Sequence, residues 1–408
     1  MAGIQFSPMI PNEPLCGRAQ SRREFLRHSA ALSATATFGF HIRANAAPAA
    51  KVKDINVISH VPEVYHGWPT LARRKNGQLL VVCSGGRQQH VCPFGRVDLM
   101  RSNDNGETWT WPRTVIDGPI DDRDAGILET AKGSLLVTTF TSLAYESYEL
   151  KKALTRKPGE KGAWPKERLD AWLAVHNRLN AEQRQAELGQ WMLRSTDGGI
   201  TWSKRYPSIV NSPHGPIQLA DGRQLYPGRE LWTGDKRIGV CDSNDDGRTW
   251  KWLAEIPTRK GDDKSNYHEL HGVETKDGRL IVHIRNHNKV NVGETLQSES
   301  SDGGKTWSTP HSIGVWGLPS FLTRLRNGHL LMSYGYRRKP YGNQARISTD
   351  QGQSWSEPLT ISADGNGGDL GYPSTVELND GSLVTVWYER MKGTSHAVLR
   401  QARWRLES

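Results

Sequence analysis

Ser102-Asn103-Asp104-Asn105-Gly106-Glu107-Thr108-Trp109 is the first of five octets of the form Ser-x-Asp-x-Gly-x-(Thr/Ser)-Trp; the others begin at Ser195, Ser243, Ser300 and Ser348. Their aspartates stand at 104, 197, 245, 302 and 350, so the intervals are 93, 48, 57 and 48 residues. The chain is a tandem repeat, and the long first interval holds one repeat plus an insertion. Each octet closes a hairpin. The Asp accepts hydrogen bonds from the turn's own amides, Gly supplies a positive φ, Thr or Ser offers a hydroxyl, and Trp packs into the neighbouring blade. The aspartates are therefore structural, and a period near 50 with strand-forming composition predicts a β-propeller.

A second repeat interleaves with the first. Gly turns at Asn76-Gly77, Lys132-Gly133, Asp221-Gly222, Asp277-Gly278, Asn327-Gly328 and Asp380-Gly381 each precede a strand rich in Leu, Val and Ile. Read as two-residue hairpin turns, they define six blades, each an inner hairpin plus an outer pair closed by an octet. The sixth lacks the octet and is expected to be completed by a strand from the Asp54–His60 region. Between about 143 and 190, Leu169, Trp172, Leu173, Val175 and Leu179 recur at helical spacing, which predicts a helical insertion in blade two that packs against the rim, with a roof over the site or a dimer contact as the alternatives.

Residues 1–46 read as a leader. Ser21-Arg22-Arg23-Glu24-Phe25-Leu26-Arg27, a mildly apolar stretch and Ala44-Asn45-Ala46 have the order of a bacterial twin-arginine signal, implying passage through that translocase to the periplasm or beyond. The apolar run is too short and polar for a membrane span, so the propeller domain is taken as 47–408. The chain has 53 basic and 43 acidic residues, net +10; without the leader's five Arg and two Glu, 48 and 41 remain, net +7. That excess is no nucleic-acid footprint but suits an anionic substrate. Phosphate-binding loops and zinc-spaced Cys/His clusters are absent, so neither cofactor nor metal is expected. A Cys83–Cys92 bridge and a reduced, buried pair are both open.

Residues equidistant from a hairpin turn share one end of the blade. Counting back, Glu269 faces Asn286 beside Arg285, Tyr372 faces Glu389, His66 faces Arg87, His214 faces Arg229, Leu318 faces Arg337, and Asp122 and Arg123 reach the same level. All six inner hairpins of a propeller point alike, so these groups meet at one mouth. Several arginines with one Glu and one Tyr describe an anion-binding, proton-handling site.

The octets resemble the Asp-boxes of sialidases, a blade type also found in sorting receptors, matrix proteins and other glycosidases. Gly371-Tyr372-Pro373-Ser374-Thr375-Val376-Glu377 is similar to the segment carrying the catalytic tyrosine of exo-α-sialidases, and Tyr267-His268-Glu269 through Arg285 to their catalytic glutamate and carboxylate-binding arginine. Tyr336-Arg337-Arg338 falls in the region of another arginine of that cluster, and the resemblance covers residues 55–406. It implies that Tyr372 attacks the anomeric carbon, Glu269 takes its proton and the arginines hold the substrate carboxylate, with retention of α configuration. A neutral phenol suits a substrate whose anomeric carbon bears a carboxylate, because a charged nucleophile would be repelled; this departs from the usual two-carboxylate arrangement. Two departures stand out. Gly67 occupies the place of a blade-one arginine, leaving Arg123 or Arg87 to reach in. The blade-one loop lacks the family's acidic residue, making Asp98 the nearest proton donor unless it lies on a strand and pairs with a neighbour, with Asp122, Asp124 or His90 as substitutes. The function expected is hydrolysis of terminal α-linked sialic acid or a related acidic sugar from a glycan. A different acidic or neutral sugar, or a non-catalytic propeller that binds a glycan or protein, are the alternatives.

Overall fold

The computed structural model describes residues 48–407 except 233, 234 and 395; the leader lies outside the described residues. Six four-stranded antiparallel sheets form the blades of a propeller. Their innermost strands are Tyr65–Arg73, Asp121–Glu129, Ile217–Gln218, Tyr267–Glu274, Ser320–Arg324 and Leu370–Glu377. The last sheet takes its outer strand from the other end of the chain: Ala49–Val57 pairs with Ala397–Glu407 and closes the ring. Asp54 then meets Arg403 at 2.6 Å, and Ala50, Val52, Ile55 and Leu406 cover the buried Trp404 cluster.

The octets are built as their composition dictates. In the first, Ser102 Oγ donates to Asp104 Oδ1 at 2.7 Å, and the amide and hydroxyl of Thr108 donate to the two carboxylate oxygens at 2.9 and 2.6 Å. The same Asp-to-turn bond recurs at Asp197, Asp245, Asp302 and Asp350. Trp109 and Trp355 carry the link to the preceding blade, donating through Nε1 to Gln401 and Gln297.

The inner hairpins differ from expectation in one respect: their loops have three residues, not two. In blade one Gly77 N donates to Arg74 O and Arg74 N to Gln78 O, and the equivalent pair of bonds occurs in all six. This is a type I turn followed by a left-handed residue, and the glycine at that position has φ between +79° and +93°. Four residues before each of these glycines a polar side chain clamps the preceding blade's loop. Glu129, Gln218, Glu274 and Glu377 accept from the amides of Lys75, Ala131, Ala220 and Arg326 at 2.6–2.7 Å. Arg324 donates to the Thr275 carbonyl at 2.8 Å and Arg73 to Asn379 Oδ1 at 2.8 Å, which completes a ring of six blade-to-blade clamps.

The insertion falls between strands Leu135–Ser142 and Gln190–Ser195 and includes helices Lys151–Thr155, Lys166–His176 and Ala181–Ala186. Trp172 is buried among Val91, Cys92, Tyr145 and Leu150, and its Nε1 donates to Gln88 Oε1 at 2.7 Å, so the insertion packs on the blade-one loop. Cys83, Cys92 and Cys241 are buried free thiols.

Candidate active site

The innermost strands of blades one, two, four and six each carry a bulge close to the axis. Pairing passes from Gly67↔Ser84 to Thr70↔Val82, from Arg123↔Phe140 to Gly126↔Thr138, from His268↔Arg285 to His271↔His283, and from Gly371↔Tyr388 to Ser374↔Val386. Two residues oppose one in every case, and the first of the two is Trp68, Asp124, Glu269 or Tyr372. These four have φ of 51°, 50°, 48° and 54°, a conformation costing non-glycine residues about 1–3 kcal/mol each. The bulge turns each side chain from the ladder toward the axis. All four line one cavity of about 370 Å³.

The loop and the bulge together correct the expected register. Tyr267, not Glu269, faces Asn286; Leu370, not Tyr372, faces Glu389; Tyr65, not His66, faces Arg87; Asn211, not His214, faces Arg229. The expected convergence still occurs for part of the set. The Tyr372 hydroxyl donates to Glu269 Oε1, and Arg285 Nη1 donates to Glu269 Oε2 at 2.5 Å and lies 3.4 Å from the Tyr372 hydroxyl. Arg337 Nε is fixed by the Leu370 carbonyl at 2.9 Å, with its guanidinium carbon 5.8 Å from the Tyr372 ring centre. Arg229 is tied to the Ser265 carbonyl and to His268, whose ring stacks on His287 at 4.4 Å. Across the cavity Arg123 stacks 4.4 Å over Trp68. Arg123, Arg229, Arg285, Arg337, Glu269, Asp124 and Tyr372 all line the pocket.

Six expected site residues are placed elsewhere. Asp98 is buried on strand Arg96–Ser102, where Arg96 Nε and Thr114 Oγ1 donate to it at 3.0 Å. Arg87 is wholly buried and bidentate to Asp121 at 2.6 and 2.8 Å, so its charge is spent behind Trp68. Arg338 stacks 3.9 Å over Trp316 outside the pocket. Asp122 points to the other side of its strand and accepts the Gly118 amide at 2.6 Å. His66 is buried outside the pocket, within the field of Asp98 and Arg96. His214 lies below the cavity between Phe321, His271 and Tyr372, where burial lowers its imidazole to about 3 and keeps it neutral.

The electrostatics divide the roles of the acidic groups. For Glu269 burial opposes ionisation, but the Arg285 charge and the Tyr372 hydroxyl outweigh it and hold the carboxyl down to about 2. Burial and the Glu269 charge push the Tyr372 phenol well above its ordinary value, so it keeps its proton. Burial, with the Glu269 and Asp121 charges and against Arg123 and Arg87, raises Asp124 to about 7. Near neutral pH four guanidinium groups thus face one firmly ionised carboxylate, Glu269, an arrangement that attracts an anion.

Trp68, Phe140, His268 and His287 were not anticipated as pocket residues. One signal would have found the first: the bulge residue stands nine positions before the hairpin glycine, as in Trp68 to Gly77, Asp124 to Gly133, Glu269 to Gly278 and Tyr372 to Gly381. The same offset in blade three marks Pro213, which also lines the pocket.

The six-bladed ring with its Asp-box turns is a propeller of the sialidase type. Residues 161–385 match the BNR repeat-like domain family, and the chain belongs to that family. It is similar to a sialidase of Bacteroides fragilis (strain YCH46), 26% identical over 352 residues, which cover 79% of this chain and 59% of that protein. A Micromonospora viridifaciens sialidase is 24% identical over 203 residues, 42% of this chain and 31% of its own length. The chain thus spans about three fifths, or less than a third, of these curated relatives. Among solved structures, a Dyadobacter fermentans protein of unknown function superposes with a TM-score of 0.70 at 22% identity, covering 88% of this chain and 99% of that one. The NanB sialidase of Streptococcus pneumoniae superposes with a TM-score of 0.59 at 15% identity, covering 86% and 70%.

Proposed function

We propose that the protein is a sialidase-like glycoside hydrolase that releases terminal α-linked sialic acid or a related acidic sugar with retention of configuration. The observation that carries this reading is the hydrogen bond from the Tyr372 hydroxyl to a Glu269 carboxylate whose other oxygen is held by Arg285. Protonated phenol, ionised glutamate and fixed guanidinium are the states in which a neutral nucleophile can approach an anionic sugar and lose its proton as the bond forms. Arg285 and Arg337 flank Tyr372, so a substrate carboxylate bound to them through charge-assisted hydrogen bonds sets the anomeric carbon over the phenol oxygen. Arg229 and Arg123 add positive field from blades three and two. The glycosyl-tyrosine so formed is hydrolysed by water with Glu269 returning the proton, and two displacements give net retention.

Gly67, at the place of an arginine in exo-α-sialidases, and the aromatic wall of Trp68 beside it favour a second reading within the same class: an acidic sugar other than the common sialic acids. A panel of α-linked sialosides and other acidic glycosides, followed by proton NMR of the first sugar released, tests both. Appearance of the α anomer before mutarotation supports the retaining reading; first release of the β anomer, or no cleavage of any acidic glycoside, contradicts it. The Ser21–Arg27 motif supports export by the twin-arginine route, which Arg22→Lys with Arg23→Lys should block.

A further inference from the structure

The proposed reaction leaves one role unfilled, the proton donor to the departing oxygen. Asp98 and Asp122 are spent on Arg96 and on the Gly118 amide, away from the pocket. Asp369 accepts from the hydroxyls of Tyr65 at 2.9 Å and Tyr388 at 3.2 Å and faces His90 Nδ1 at 3.3 Å. His90 lines the pocket, but with Nδ1 turned to Asp369 its neutral ring offers only a lone pair at Nε2. Burial, opposed by Asp369 and aided by Arg123 and Arg87, keeps the ring neutral.

Asp124 is different. It occupies the same place in its blade as Tyr372 and Glu269 do in theirs, the left-handed first residue of the inner-strand bulge. It is 8% exposed, lines the cavity, and its buried Oδ1 has no hydrogen-bond partner. A buried carboxyl oxygen left without a partner beside a cavity of this size is a position for a group that arrives with the ligand. Resting on the hydrolase reading above, we propose that Asp124 is the proton donor to the leaving oxygen, a role moved from the blade-one loop to the blade-two strand.

The step balances. The Tyr372 oxygen bonds to the anomeric carbon while the glycosidic C–O bond breaks; the phenol proton passes to Glu269, and the Asp124 proton passes to the departing oxygen. In the second step Asp124, now a carboxylate, takes a proton from the attacking water, the aryl glycoside bond breaks, and Glu269 returns its proton to Tyr372. Both carboxyls end as they began. The charged groups facing Asp124 are Arg123 from its own strand, Arg87 and Asp121 behind Trp68, and Glu269 across the axis. Their balance with burial keeps the proton on Asp124 up to neutral pH, so kcat/KM should fall as pH rises through about 7.

Asp124→Asn tests this, because asparagine also tolerates a positive φ. The substrates are 4-methylumbelliferyl α-sialoside, whose phenolic leaving group departs with little help, and α2,3-sialyllactose, whose alcohol needs a proton. The variant is expected to lose on the order of 10²–10⁴-fold in kcat/KM on sialyllactose, a much smaller factor on the aryl glycoside, and the decline near pH 7. His90→Gln is expected to affect both substrates alike and to keep that decline. Equal losses on the two substrates, or a persisting decline in Asp124→Asn, overturn the assignment alone. An unaltered protein that releases sugar from neither substrate nor from any other acidic glycoside overturns the hydrolase reading, and the assignment with it.

Discussion

Tyr372, Glu269, Asp124 and Trp68 have a left-handed backbone in common, and that conformation rather than their chemistry brings them together. A strand residue ordinarily points out of one face of its blade toward the neighbouring blade; at a bulge the extra residue turns it toward the axis. Tyr372, Glu269 and Arg285 could be found from sequence because a carboxylate and a guanidinium on the two arms of one hairpin, with a phenol on the first arm of another, resemble a known family. Asp98 was misplaced because proximity along the chain said nothing of which strand face it occupies. Two residues on from Arg96 it shares that residue's side of the strand, and the pair neutralises itself. Asp98→Asn should therefore leave kcat/KM unchanged while lowering stability by about 1–3 kcal/mol, as measured by urea unfolding, because a buried charged hydrogen bond is lost. Loss of turnover with an unchanged unfolding midpoint would contradict that placement.

Among the elements, the hairpins show what sequence could and could not specify. Six turn glycines sufficed to count blades, and the runs rich in Leu, Val and Ile that follow them sufficed to place strands. Register was not legible. Asn-Gly, Asp-Gly and Lys-Gly serve a two-residue turn and the end of a three-residue loop equally well, and the bulge leaves no glycine to mark it. The clamps between blades were hidden for a related reason: Glu274, Gln218 and Arg324 differ in charge and share only their distance from a turn. Their function is common because a turn exposes both amides and carbonyls, so an acceptor or a donor can each bind it. Glu274→Ala should cost roughly 0.5–1.5 kcal/mol in urea unfolding, with Glu274→Gln retaining most of the stability, since an amide oxygen still accepts from Ala220. Equal losses in the two variants would point to charge rather than to the hydrogen bond.

For the whole molecule, one device closes the ring. Strand Ala49–Val57 brings the first described residues onto the last sheet, and without it Ala397–Glu407 becomes an open edge with Trp404 poorly covered. Removal of residues 48–57 should lower the unfolding midpoint and broaden the transition. A transition as sharp and as high as that of the full chain would show the ring to be held by the clamps alone. The closed ring is what fixes blades four and six at the separation that lets Tyr372 meet Glu269. The central claim is that this phenol is the nucleophile. It is tested most directly by incubating the protein with a sialosyl fluoride bearing a second fluorine at C-3, which slows breakdown of the glycosyl-enzyme, and mapping the label by mass spectrometry of peptides. The account predicts one fluorosugar on Tyr372. Fluoride release with the label on another residue, or with no label on the protein, would contradict it.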